Sequence, residues 1–266
     1  MNMNTSQPIE RSEIVLSARA LCKNFGGIMA TQNVDLDIFK GDRHALIGPN
    51  GAGKTTLINL LTGVLAPSSG KIELLGQDIS KLAPHSRVQR GLVRTFQINQ
   101  LFSSMSAFDT LTFVVSQTRG LTSQWWARLG QDKGVLEQVQ QLLEQFHLTD
   151  VAHQASRSLS YGKQRLLEIA VALACQPKVL LLDEPVAGVP AGEREELLAT
   201  VDQLPQDVSV LLIEHDMDLV FSFAKQMTVL VNGGVLCSGQ PSDMAKDERV
   251  KEVYLGQGGV HGAFNE

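Results

Sequence analysis

Eight consecutive positions, Gly48-Pro49-Asn50-Gly51-Ala52-Gly53-Lys54-Thr55, constrain this chain more than any other stretch. They follow a short apolar run, His44-Ala45-Leu46-Ile47, and precede residues 55–65, which carry enough Leu and Ile for a helix. Buried strand, glycine loop and helix are the setting a phosphate-binding loop requires. The glycines let backbone N–H groups turn inward around a polyphosphate, and the helix behind them offers its positive end. In such a loop Lys54 reaches the terminal phosphates, the Thr55 hydroxyl ligates Mg²⁺, and Thr56 continues the cradle into the helix. The plainer alternative is a glycine-rich structural turn, which the flanking elements disfavour.

With 266 residues, 43% of them hydrophobic, the chain can bury a substantial core, which excludes a disordered polypeptide. Lys and Arg number 23 against 28 Asp and Glu, a formal charge of -5, so no global field draws it to nucleic acid or an anionic bilayer. An anionic ligand has to be held locally. Cys22, Cys175 and Cys237 lack metal-ligand spacing and fit a reducing compartment. His85, His147 and His153 show no coordinating pattern either, and the Trp125-Trp126 pair is expected to pack or to meet a partner. The first dozen residues lack the cationic start and apolar stretch of a secretory signal. The longest apolar runs, such as residues 170–175 and 179–182, fall far short of the roughly 20 residues that cross a bilayer.

Val34, Leu36 and Ile38 alternate with Asp35 and Asp37, predicting a strand with one wet face, and residues 71–76 predict another after the turn at residues 67–70. From about residue 80 to 174 strand signals become scarce. Val135, Val139, Leu142, Leu143 and Phe146 there share one helical face, so the middle third is expected to be a helical insert. Apolar strands then return at residues 179–182, 208–213 and 227–231, separated by helical stretches at 193–204 and 217–224, which argues for an α/β core. Asn232-Gly233 is a hairpin signal, predicting that the last strands pair antiparallel at an edge. Residues 257–266 look like a loose tail.

Two further clusters carry chemistry. Asp183 and Glu184 stand together at the tip of the predicted strand 179–182, where Asp183 is suited to the Mg²⁺ shell and Glu184 to polarising a water. Ligands of α/β sheets gather at the C-terminal ends of strands, so this pair and the glycine loop are expected to converge. Leu159-Ser160-Tyr161-Gly162-Lys163-Gln164-Arg165 precedes a helix, with Ser160 placed as its N-cap. Taken together with the loop, the insert, the carboxylates and a later His215, this run resembles the signature of ATP-binding cassette (ABC) transporter ATPase subunits, over roughly residues 14–256.

That resemblance implies an α/β fold of the P-loop NTPase class: a RecA-like core, an antiparallel β subdomain and a helical subdomain at about 98–175. It implies ATP and Mg²⁺ as cofactors. Phe25 matches the aromatic that stacks on adenine, although a core phenylalanine is the other reading of that residue alone. Gln97 matches the glutamine that touches Mg²⁺ and the attacking water, and His215 the histidine on the γ-phosphate, where a lone strand-end histidine is otherwise structural. Ser160, Gly162, Lys163 and Gln164 match the signature that seals a second copy's nucleotide in a head-to-tail dimer. Tyr161 stands where many cassettes have glycine, and Pro190 where an Asp or Asn makes a contact across the dimer.

Phe25-Gly26-Gly27, Arg94-Thr95-Phe96-Gln97 followed by Leu101-Phe102, the wording of residues 159–165 and the ending Val253-Tyr254-Leu255-Gly256 look most like the branched-chain amino acid type of uptake system. Related members import amides, urea or small carboxylic acids. The resemblance implies two membrane permease subunits, a periplasmic solute-binding protein and a second ATPase subunit, identical or a sister, at the cytoplasmic face of a bacterial inner membrane. The alternative is the ATPase of a lipid or lipopolysaccharide export complex. A cassette acting on nucleic acid would carry two cassettes or basic patches, and this chain is acidic.

Overall fold

The computed structural model describes residues 13–95, 103–121 and 132–255. The chain begins with two long strands, β1 (Ile14–Phe25) and β2 (Ile28–Phe39), then β3 (Arg43–Ile47), the glycine loop and α1 (Lys54–Thr62). Next come β4 (Ser69–Leu74), β5 (Gln77–Asp78), α2 (Pro84–Gln89) and β6 (Leu92–Arg94). Helices α3 (Ala107–Thr118), α4 (Lys133–Gln145) and α5 (Tyr161–Ala174) follow, then β7 (Val179–Asp183), α6 (Ala191–Asp202), β8 (Ser209–Ile213) and α7 (Met217–Phe223). The hairpin β9 (Gln226–Val231) and β10 (Gly234–Gly239) leads to α8 (Pro241–Met244) and α9 (Glu248–Leu255).

Two sheets result. One is antiparallel, in the order β2-β1-β4-β5; the other runs β10-β9-β3-β8-β7-β6, parallel except for β10 at its edge. The parallel strands are apolar on both sides because both faces are covered. On one face Ala45, Ile47, Leu180, Leu182, Val210 and Leu212 join a core that includes α3, α4 and α5. On the other, Leu46, Val179, Leu181, Leu211 and Ile213 pack with α1 and the antiparallel sheet. Leu57, Ile58, Leu60 and Leu61 of α1 are fully buried there, so the helix that follows the glycine loop is wedged between two sheets.

The expected strands at 34–38 and 179–182 and the later αβ alternation all form. Asn232 (φ 49) and Gly233 (φ 80) take the two left-handed positions of a tight hairpin turn, as their residue types predict. Three features differ from expectation. The helix expected over 55–65 stops at Thr62, because Gly63 adopts φ 80 and turns the chain out. The stretch 80–174 is not wholly helical: Leu92–Arg94 adds a strand beside β7, with three residues too few for a period to register. Finally, the strand expected over 71–76 ends at Leu74, where Leu75 (φ 50) and Gly76 (φ 74) turn the chain into β5. Strand β1 offers no clean alternation to read, since register shifts and a positive φ at Ala20 accompany burial of Val15 through Ala18 in succession before Leu21. Among the described residues no helix is long and apolar enough to cross a membrane.

Candidate functional site

Gly48 and Gly53 fix the loop between β3 and α1. A side chain at Gly48 would strike the Leu230 carbonyl, and one at Gly53, where φ is 101, the Ala30 carbonyl. The β9–β10 turn braces the loop from behind: Gly233 N–H donates to Ala52 O (2.9 Å) and Gln32 N–H to Gly233 O (2.7 Å). Helix α1 opens on Gly53 without a side-chain cap, so its first amides are left for a ligand. The Lys54 ammonium donates to the carbonyls of Gly48 (2.6 Å) and Pro49 (3.0 Å) at the start of the loop. Burial pushes Lys54 below its ordinary 10.5, while Glu184 and Asp183 pull it back up.

A cavity of about 490 Å³ lies over this loop, within the size range of small-molecule sites. Asn50, Gly51, Ala52, Gly53, Lys54, Thr55, Thr56 and Glu184 line it, together with Ile28, Met29, Ala30, Gln32, Asn232 and Gly233. The loop and the carboxylate at the tip of β7 therefore meet, as their positions at strand ends require. Glu184 sits at φ 46, a left-handed conformation uncommon for this residue type, with its N–H held by Ile213 O at 2.9 Å. Its half-exposed carboxylate lies 3.6 Å from the Nδ1 of His215, which follows β8. Asp183 is engaged by Arg94 of β6, whose other nitrogen donates to Asn59 Oδ1 on α1 at 2.9 Å.

Other expected residues lie apart. Phe25 ends β1 at 46% exposure, which excludes the core reading, and the Lys23 ammonium stands 5.1 Å from its ring centroid; it is not among the residues lining the cavity. Ser160 caps α5 by accepting from Lys163 N–H (3.4 Å). The Gly162 N–H donates to Glu193 Oε2 (2.6 Å), Lys163 binds His147 O (2.5 Å) and Glu196 (3.2 Å), and Gln164 donates to Leu159 O (3.0 Å). None of these signature residues lines the cavity over the loop. Gln97 and the Trp125-Trp126 pair lie outside the described residues.

Sequence reasoning assigned no role to Arg94, Glu193 or Glu214. Glu214 precedes His215 and its side chain is 0% exposed, accepting from the N–H groups of His215 (3.1 Å) and Val186 (3.5 Å). Burial pushes its carboxyl above the ordinary 4.5, against the opposing pull of those amides and of His215. A carboxyl raised in the folded state costs nothing at low pH, where both states are protonated. As pH rises the unfolded chain ionises first and stability is lost until the folded carboxyl ionises too. Glu214→Gln, which gives up one amide acceptor, is expected to start level with or below the parent near pH ~5 and to gain on it toward pH ~8 in urea denaturation. Parallel profiles would show that this carboxyl does not govern the decline.

The donors near the loop are hard oxygens, the Thr55 hydroxyl and the carboxylates at the end of β7. They suit Mg²⁺, which is held by one or two carboxylates plus substrate phosphates. Among the described residues no group of three or more His, Cys, Asp or Glu is arranged to hold a metal by itself. The three cysteines are free thiols.

Comparison with known proteins agrees with this geometry. Residues 31–187 match the family model described as ABC transporter. The high-affinity branched-chain amino acid transport ATP-binding protein BraF of Pseudomonas aeruginosa is 38% identical over 255 residues, 92% of this chain and 99% of that protein. LivG of Escherichia coli K12, which bears the same description, is 36% identical over 254 residues, again 92% and 99%. Among solved structures, the ADP conformation of an ATP-binding cassette of an ABC transporter superposes with a TM-score of 0.79 at 30% identity, covering 91% of this chain and 99% of that one. Glycine loop, signature and paired carboxylates stand on a fold shared along nearly the whole length of these relatives, and the chain belongs to the ABC transporter family as one of its ATP-binding cassettes.

Proposed function

We propose that this chain is the ATP-hydrolysing subunit of an importer for a small solute, branched-chain amino acids first among the candidates. Amides, urea and small carboxylic acids are the neighbouring possibilities. The observation that carries the reading is the single cavity shared by the Lys54 loop and Glu184, with His215 beside the carboxylate. The names of these relatives speak for transport of branched-chain amino acids and not for lipid extraction.

In this reading the amides of residues 48–55 and the Lys54 ammonium grip the β- and γ-phosphates, and Phe25 offers its exposed face to the adenine. Glu184 takes a proton from the attacking water, and His215 orients the γ-phosphate. Thr55, Asp183 and Gln97 would hold Mg²⁺, which supplies charge neutralisation on the transferred group. Exposed Ser160, with Gly162, Lys163 and Gln164 behind it, would close the nucleotide site of a second ATPase subunit, since none of them lines the chain's own cavity. Closure of the pair then moves the helical inserts against two membrane permeases at the cytoplasmic face of the inner membrane, fed by a periplasmic solute-binding protein.

Reconstitution into proteoliposomes with its cognate permeases and solute-binding protein tests the reading. ATP hydrolysis is expected to rise on adding leucine, isoleucine or valine with the binding protein, together with uptake of the labelled amino acid. Hydrolysis that responds only to lipid would overturn the importer reading.

A further inference from the structure

We infer that Arg94 is a built-in counter-cation that keeps free divalent metal off Asp183, so that metal enters this site only together with a nucleotide. The inference rests on the reading of Asp183 as a carboxylate of the magnesium shell, and it adds to that reading a residue to which no role has been given.

The guanidinium of Arg94 leaves the end of β6 and bridges two other elements. One nitrogen donates to Asn59 Oδ1 on α1 at 2.9 Å, and the other engages Asp183 Oδ2 at the tip of β7. A planar fork with two partners on separate elements is aimed, not merely nearby. The pair is largely enclosed, with side-chain exposures of 17% for Arg94 and 26% for Asp183, so solvent screens it less than a surface pair. Asn59 lies on α1 between the buried Ile58 and Leu60, which holds its backbone in place.

Without Arg94, Asp183 would present a free carboxylate next in sequence to Glu184, with Lys54 the cation acting on both. An unpaired carboxylate at an oxygen-lined site attracts a hard dication even when no phosphate is present. A metal held there in advance would occupy the space of the incoming nucleotide's own metal. Arg94 answers this twice: it occupies one oxygen of Asp183, and its positive charge repels a bare dication across a few ångströms of poorly screened space. A nucleotide brings phosphate oxygens that outweigh the repulsion, which makes metal binding conditional on the triphosphate.

The test is Mn²⁺ binding to the purified, nucleotide-free full chain, followed by electron paramagnetic resonance. The parent is expected to bind weakly, Arg94→Met about tenfold or more tightly, and Arg94→Lys, which keeps the charge but cannot fork to Asn59 and Asp183, between the two. Asp183→Asn in the Arg94→Met background should abolish the gain, whereas in the parent it should change nucleotide-free binding little. Arg94→Met binding Mn²⁺ no more tightly than the parent overturns the inference, as does a gain that survives Asp183→Asn. Failure of the underlying ATPase reading shows separately, as a parent chain with no affinity for fluorescent ATP in magnesium. Should Arg94→Met fold poorly by circular dichroism, Asn59→Ala loosens the guanidinium's aim while keeping its charge. That variant is expected to shift Mn²⁺ binding in the same direction by a smaller factor, and no shift would count against the proposal.

Discussion

Glu184→Gln is expected to lower steady-state ATP turnover by about 10²- to 10⁴-fold, the range set by losing a positioned general base, while leaving nucleotide affinity near the parent value. The substitution preserves shape and removes only the ability to accept a proton. Glu184 closes the cavity opposite the glycine loop, and its conformation is fixed by backbone: a left-handed φ of 46 with the N–H tied to Ile213 O. The loop amides and Lys54, which grip the phosphates in our proposal, belong to β3 and α1 and do not depend on this carboxylate for their placement. Product formation stalls and ATP stays bound, so two cassettes that close around ATP should accumulate as a stable pair, visible by size-exclusion chromatography with light scattering. Normal turnover in this variant would remove Glu184 from the role of base. His215→Ala should then be examined for the same loss, since its Nδ1 is 3.6 Å from Glu184 Oε1.

How much of this was legible beforehand depended on whether a local rule governed each residue. The glycine loop was readable because turn, helix start and cation lie next to one another in the chain, and Gly48 and Gly53 prove to be places where no side chain fits. The buried strands at 179–183 and 209–213 were readable from uninterrupted apolar runs, which follow from cover on both faces. The Asn232-Gly233 turn was readable because its left-handed angles demand those residue types. By contrast β6 spans only three residues and owes its existence to a neighbour more than 80 positions away, to which no local pattern points. The bulges in β1 spoil the alternation that would have announced it.

At the site the same division holds. Asp183 and Glu184 announce themselves by adjacency, but Arg94 gains its partner only when β6 and β7 pair. Glu193 is likewise unremarkable in sequence until α6 packs on α5 and its carboxylate receives the Gly162 N–H. Gly162 is required there, because a side chain would run into that carboxylate. Tyr161, the departure from the usual signature glycine, lies with its ring against Gly188, whose φ of 75 and lack of a side chain give it room. The signature and the segment after the paired carboxylates are thus joined within one chain at two points. Such joints connect the segment after Glu184 to the residues that, in our proposal, face a second subunit, even with Pro190 in place of a polar contact.

Lys54→Ala is expected to weaken ATP binding about 10- to 100-fold, from the loss of charge-assisted hydrogen bonds to phosphate. The magnitude follows from the two tasks of the ammonium. It donates to Gly48 O and Pro49 O, which ties down the first two residues of the loop. It also supplies a cation opposite Glu184 and Asp183, without which the two carboxylates repel an incoming triphosphate. Because burial holds this lysine below 10.5, its charge and the ATP affinity that depends on it are lost at a lower pH than for an exposed lysine. Binding of phosphates favours the charged form, so ATP uptake in the alkaline range should be accompanied by proton uptake, absent in Lys54→Ala and measurable by calorimetry in buffers of different ionisation enthalpy. An alanine variant that binds ATP as the parent does, with the same proton balance, would mean that the backbone amides grip the nucleotide alone.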